Sequence, residues 1–190
     1  MRVIAGKARR LLLKTVPGFD TRPTTDKIKE TLFNILNPYI PGCRFLDLFS
    51  GSGSIGIEAL SRGASQAVFV ENNPRAAACI NDNLRTTRLA DDAVVFKKNV
   101  IGAINEMALK NYSFDLVYMD PPYEAGLEEE TLACLAASGI INEDTIVIIE
   151  ADKHNDLPFI AESAFEITRE KIYKSNKHYF LRLKNTTPEA

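Results

Sequence analysis

The sequence predicts an α/β fold: a mostly parallel, twisted sheet with helices on both faces, closed by a terminal antiparallel hairpin. Three observations carry this expectation. From Arg44 onward, short apolar runs alternate with segments of helical periodicity, the pattern of parallel strands buried on both sides. The first run leads into a glycine-rich loop, FLDLFSGSGSIG (Phe45 to Gly56), of the strand–loop–helix kind that cradles ligands in doubly wound sheets. The last stretch, FEITREKIYKSNKHYFLRLK, instead reads as two strands joined by the polar turn Lys174–Lys177.

Taken in order, Arg2–Ala5 and Arg10–Thr15 read as two short strands, a small N-terminal β-hairpin extension, followed by the Pro/Gly loop VPGFDTRPTTD. A helix starts near Thr25 or Asp26, either of which can cap its free N–H groups. Ile28, Leu32, Ile35 and Leu36 recur on one face of it, and Pro38 with Pro41-Gly42 ends it. The strands of the sheet are FLDLF (45–49), AVFV (67–70), AVVF (93–96), FDLVYM (114–119) and TIVIIE (145–150). Helices are expected over Ser54–Ser61, Pro74 to about Arg88, Val100–Leu109 and Leu127–Ala137, with Pro74 suited to a first turn, where its missing N–H costs nothing. A chain of 190 residues supports one well-buried core and is short for two. It is therefore read as a single domain: residues 1–24 an extension, 25–184 the catalytic core, 185–190 a frayed tail.

Composition excludes several classes. Apolar content of 45% and charged content of 25% are those of an ordinary soluble globular protein, and no apolar run approaches the roughly 18 residues of a membrane span. The N-terminus, MRVIAGKARRLLLK, lacks a continuous signal-peptide core, so a cytoplasmic monomer without membrane partners is expected. Cys43, Cys79 and Cys134 form no CxxC pair and are expected as free, buried thiols; with His154 and His178 unclustered, no metal site is expected. Residues 1–30 carry eight bases (Arg2, Lys7, Arg9, Arg10, Lys14, Arg22, Lys27, Lys29) against three acids, hence +5 on a body of −7. A basic end on an acidic body suits a phosphate-contacting arm, although a merely solvated hairpin has the same count.

Ligands of such sheets sit beyond the C-terminal strand ends, and four of these ends carry polar groups. Gly51, Gly53 and Gly56 fit the G-x-G-x-x-G fingerprint, and Glu71 follows about 20 residues on, where a ribose ligand is expected. This fits a nicotinamide dehydrogenase as well as any other adenosine-binding enzyme. Asp47, however, would repel a pyrophosphate and attract the ammonium and sulfonium of S-adenosylmethionine, unless it only caps a neighbouring turn. Asn99 can meet an adenine edge, cap the next helix, or do both. Asp120-Pro121-Pro122-Tyr123 ends the fourth strand: the prolines stiffen the turn and leave only carbonyl acceptors. Such a turn suits an exocyclic amino group, whose two N–H groups it can receive while aiming the lone pair at a methyl group; Tyr123 offers a face on which an extruded base stacks. A dehydrogenase leaves Asp47 and this turn idle.

The glycine loop with DPPY resembles the class I methyltransferases that modify exocyclic amines. RVIAGKARR, RPTTDKIKETLFNIL, LDLFSGSGSIGIEALSRGA and DPPY, in that order and spacing, resemble more narrowly the RsmD family, over almost the whole chain. The resemblance implies a Rossmann-like class I methyltransferase fold and methylation of a guanine N2 in bacterial 16S rRNA, within a small-subunit particle. S-adenosyl-L-methionine is then the cofactor and S-adenosyl-L-homocysteine its product. It implies cofactor contacts at Asp47, Gly51, Ser52, Gly53, Glu71, Asn72 and Asn99, base orientation by Asp120, Pro121, Pro122 and Tyr123, and RNA contacts by Arg2, Lys7, Arg9, Arg10, Arg22 and Thr24. The turn KSNK departs from the family pattern in lacking a glycine. A DNA amino-methyltransferase shares the catalytic turn but usually needs an added recognition domain. A non-catalytic RNA-binding module leaves DPPY without a use.

Overall fold

The computed structural model describes residues 1–16, 26–122 and 126–185. Seven strands form one sheet in the order β3-β2-β1-β4-β5-β7-β6. β1 (Arg44–Leu48), β2 (Gln66–Val70), β3 (Ala93–Phe96), β4 (Leu116–Met119) and β5 (Ile146–Asp152) run parallel; β6 (Phe165–Ile172) and β7 (Asn176–Leu183) add antiparallel to β5. The strand order reverses at β1, between β2 and β4, which opens a crevice at the C-terminal ends of those strands.

Side-chain alternation in the strands builds two apolar layers. Phe45, Phe69, Leu116 and Ile148 point to one face and meet α1 (Asp26–Leu36), α2 (Ser54–Ser61) and α3 (Pro74–Thr87). Leu46, Val68, Val117 and Val147 point to the other and meet α4 (Val100–Leu109) and α5 (Leu127–Ser138). Every expected strand and helix of the core is present, with small shifts in its ends.

Four expectations need correction. The two N-terminal strands shorten to one antiparallel bridge, Arg2 with Leu12, supported by backbone bonds from Val3 to Leu11, Arg10 to Val3 and Leu13 to Met1; beyond these the backbone bonds to core side chains. Ile4 and Ala5 N–H groups go to Glu58, and Lys14 N–H goes to Asn83. Secondly, α1 buries Lys29, Leu32, Phe33 and Leu36, while Ile28 and Ile35 are only half-buried. The face is rotated toward Lys29, whose ammonium lies 3.6 Å from the buried Glu58 and donates to the Arg2 carbonyl at 2.7 Å. Thirdly, the closing turn is earlier than expected. Asn176 and Lys177 already belong to β7 and are buried, with Lys177 drawn in by Asp156, Glu170 and the Tyr179 ring. Finally, all three cysteines are free but only Cys43 is buried; Cys79 and Cys134 are half-buried at helix flanks.

Gly56 shows how tightly α2 sits on the sheet. A Cβ there would lie 2.4 Å from the ring of Phe69, itself wholly buried on β2. Gly56→Ala is therefore expected to lose about 1–3 kcal/mol, read as a lower denaturant midpoint at unchanged slope. An unchanged midpoint would mean that helix and ring separate freely.

Candidate active site

The crevice is built from strand ends. β1 stops at Phe49, which takes a left-handed backbone (φ 59°), and the chain turns through Ser50 into the glycine loop. The Ser50 hydroxyl donates to the Asp47 carbonyl, and the Gly53 N–H donates to the Ser50 carbonyl at 2.7 Å, closing the turn. Gly53 (φ 77°) then enters α2 in a left-handed conformation and has no side chain to cap the helix. Asp47 does that work from inside β1: its Oδ2 accepts the Gly56 N–H at 2.9 Å. The turn-capping alternative for Asp47 is thus realised. Burial pushes the Asp47 carboxyl up to about 7, Gly56 opposing and the Glu71 charge adding to the rise.

Glu71 leaves β2 and spans the crevice mouth. Its two oxygens accept the N–H groups of Gly51 and Asn73, each at 2.8 Å, so one carboxylate pins the glycine loop to the next helix. Asn73 then caps α3, receiving N–H bonds from Arg75 at 2.8 Å and Ala76 at 3.2 Å, while Asn72 is exposed. Asn99 is exposed after β3 and caps α4 by accepting the Gly102 N–H at 2.7 Å. The Ser52 carbonyl accepts from Asn83 at 2.9 Å; the same amide holds both backbone groups of Lys14. Asn83 was not anticipated from sequence, where it reads as one more polar residue on a helix.

Asp120 follows β4, with Pro121 buried and Pro122 exposed. Burial, then the charges of Glu150 and Asp47, push its carboxyl well above the usual carboxylate range. Asp47, Gly51, Gly53, Glu71 and Asp120 therefore gather at the switch point of the sheet. Arg22, Thr24 and Tyr123 lie outside the described residues.

The N-terminal bases are less uniform than their count suggests. Arg2 pairs with Asp26 at 3.0 Å, Lys7 with Asp92 at 3.3 Å and Lys14 with Asp82 at 2.8 Å, while Lys29 belongs to the core. Exposed pairs of this kind are weak and screened by salt. Among the described residues, Arg9 and Arg10 make no ion pair, and both are exposed. Lys7 N–H bonds to the Ser61 carbonyl at 2.8 Å, at the far end of α2 from the glycine loop, about 12 Å along the helix.

Sequence reading also missed Glu150. It follows the apolar run of β5, two residues before the strand's end, yet is buried, and accepts hydrogen bonds from the Tyr118 hydroxyl and the Asn176 amide. His178 Nε2 lies 3.1 Å from the same carboxylate. The one available signal was its place at a strand end beside Asp120.

Among the described residues, no helix is long and apolar enough to cross a membrane, and no His, Cys, Asp and Glu side chains gather to hold a metal ion. A family model described as "Conserved hypothetical protein 95" matches residues 1–182. Ribosomal RNA small subunit methyltransferase D of Escherichia coli K12 is 36% identical over 174 residues, covering 90% of this chain and 84% of the relative. YlbH of Bacillus subtilis, named as a candidate rRNA methyltransferase, is 39% identical over 158 residues, 83% of this chain and 86% of that one. Among solved structures, a candidate methyltransferase of E. coli, yhhF, superposes with a TM-score of 0.81 at 33% identity, over 97% of this chain and 98% of that one.

Proposed function

The chain belongs to the RsmD family, and from that premise we propose that it methylates the exocyclic N2 amine of a guanine in 16S rRNA. It is an S-adenosylmethionine-dependent rRNA methyltransferase, and the small-subunit particle is the proposed substrate context. We read the whole chain as one catalytic unit, acting as a cytoplasmic monomer.

The observation that carries this reading is the donor set of the crevice. Asp47, Glu71 and Asp120 present carboxyl oxygens, which accept hydrogen bonds and which a cationic ligand draws toward ionisation, beside a glycine loop in which a Cβ at Gly51 would meet nothing within 4 Å. A pyrophosphate would be repelled there, whereas a ligand carrying an ammonium, a sulfonium and two ribose hydroxyls fits. S-adenosylmethionine supplies an electrophilic methyl group when bound. Gly51, Ser52 and Gly53 would admit its methionine end, Asp47 would attract it through water, and Glu71 would receive the ribose hydroxyls, with Asn72 and Asn99 toward the adenine.

Asp120 and the carbonyls of the Pro121-Pro122 turn would accept both N–H groups of the target amine and hold its lone pair in line. Tyr123 would stack on the extruded base. Arg9 and Arg10, with Arg2 and Lys7, would meet phosphates, and Arg22 and Thr24 are proposed as further substrate contacts, which suits a large folded RNA read by shape.

The test is transfer of labelled methyl to small ribosomal subunits from cells lacking this protein, with nucleoside analysis of the product. N2-methylguanosine at one site is expected; label on a different nucleoside would overturn the guanine assignment. Glu71→Ala should weaken S-adenosylhomocysteine binding about 10- to 100-fold, measured by calorimetry, because the ribose loses a charged acceptor and the glycine loop its clasp. Unaltered affinity would remove Glu71 from the cofactor site.

A further inference from the structure

The sheet face that carries Asp47 continues through the Glu150 cluster. Parallel register sets Asp47 against Tyr118 and Tyr118 against Ile148, and alternate residues share a face, so Asp120, just past β4, and Glu150, near the end of β5, lie level with each other on the same side. Antiparallel register adds His178 opposite Glu150. Glu150 is clamped: Tyr118 and Asn176 donate to its oxygens, His178 Nε2 adjoins one of them, and the Tyr173 hydroxyl lies 3.2 Å from His178 Nδ1. The amide oxygen of Asn176 is itself buried with no hydrogen-bond partner among the described residues. Such a cluster is no gain in stability over well-packed apolar residues, which argues that it serves the crevice.

Two neighbouring carboxylates treated this differently do not share charge evenly. For Glu150, burial alone would raise the carboxyl, but His178, Tyr118 and Asn176 outweigh it and hold it below its ordinary value. Among the described residues, no hydrogen bond lowers the Asp120 carboxyl in return. The titratable groups facing Asp120 among the described residues are Glu150, Asp47 and Tyr118; behind them, His178 and Tyr173 face Glu150 and Glu71 faces Asp47.

We propose that Glu150 is a positioning residue for the transfer, a fixed second carboxylate that keeps a proton on Asp120 until a cationic ligand enters the crevice and that makes Asp120 the acceptor of the amine's proton. The proposal rests on the methyltransferase reading of the same site. Asp120 gives up its proton to solvent when a sulfonium arrives, and its freed oxygens then receive the amine. During transfer the nitrogen–carbon bond forms as the carbon–sulfur bond breaks, the bonding pair stays on sulfur, and the surplus proton passes from nitrogen to an Asp120 oxygen. With the cationic charge gone from the crevice, Glu150 holds that proton in place.

The experiment is calorimetric titration of the wild-type protein near pH 7 with S-adenosylmethionine and, separately, S-adenosylhomocysteine, in two buffers of different ionisation enthalpy. The sulfonium ligand is expected to release about one proton more than its neutral-sulfur product. Asp120→Asn and Glu150→Gln should each remove at least half of that difference. Equal release by the two ligands, or the full difference retained in Glu150→Gln, overturns this inference alone. Failure of both ligands to bind overturns the methyltransferase reading as well. Should Glu150→Gln not fold, the wild-type comparison and Asp120→Asn still decide the matter. The acid limb of the single-turnover rate should also move down by about one pH unit in Glu150→Gln, because removing a like charge lets Asp120 ionise at lower pH. A merely structural Glu150 would leave that limb in place.

Discussion

Asp120→Ala is expected to slow methyl transfer by about 10²- to 10³-fold or more, while the affinity for S-adenosylhomocysteine stays within about threefold of wild type. The split follows from where the residue lies. Asp120 ends β4 beside the rigid Pro121-Pro122 turn, whereas the direct clasp on the glycine loop is made by Glu71 and Asp47. Truncation therefore removes the group that orients an amine and leaves the loop that admits the cofactor. Asp120→Asn keeps one acceptor and should fall between wild type and alanine. Calorimetry with the product and single-turnover transfer to small-subunit particles separate the two effects. Normal turnover in Asp120→Ala would sink the orientation argument, and a parallel loss of cofactor affinity would place Asp120 in the cofactor site instead.

The second large effect concerns stability. Glu58 on α2 is wholly buried and gathers four partners: the N–H groups of Ile4 and Ala5 at 2.8 and 3.0 Å, Arg62 Nε at 2.7 Å and Lys29 Nζ at 3.6 Å. Burial pulls the Lys29 ammonium below its ordinary range, and the Glu58 charge is the main force opposing that pull. Glu58→Ala would strand a buried ammonium and two N–H groups together, at a cost of about 3–5 kcal/mol, or a Tm lower by roughly 10 °C. Glu58→Gln retains an acceptor and should lose less. The check is thermal unfolding at neutral pH, with the N-terminal segment followed by hydrogen exchange. A loss below about 2 °C would show that the segment and Lys29 find water on their own.

What the sequence disclosed and what it withheld divide along one physical line. Apolar runs and helical periodicity are local, so β1 to β5 and the helices between them were legible, as were the polar residues that end those strands. Asp47, Glu71 and Asp120 stand out because a carboxylate within or closing an apolar run is unusual. Buried charges whose partners lie far along the chain were not legible. Lys29 reads as a solvent-facing helix residue until Glu58 is placed beneath it, and Asn83 reads likewise until Lys14 and Ser52 reach it. Asn176 and Lys177 read as a turn, because the acceptors that draw them into β7, Glu150 and Asp156, belong to other elements. The basic arm was visible as a count, but the pairing of Arg2, Lys7 and Lys14 with body acids was not.

The strap that Glu58, Ser61 and Asn83 form around the first fourteen residues also sets an order of events at synthesis. Met1 to Lys14 leave the ribosome before their fasteners do, because the side chains that hold Ile4, Ala8 and Lys14 lie 53 to 69 residues later in the chain. The opening segment must wait, unfastened, until α2 and α3 have emerged and docked. Fastening Lys14 through Asn83 then ties it to Ser52 of the glycine loop. A segment made before its fasteners is thereby among the last to settle, and its closure gives the ligand loop one more support.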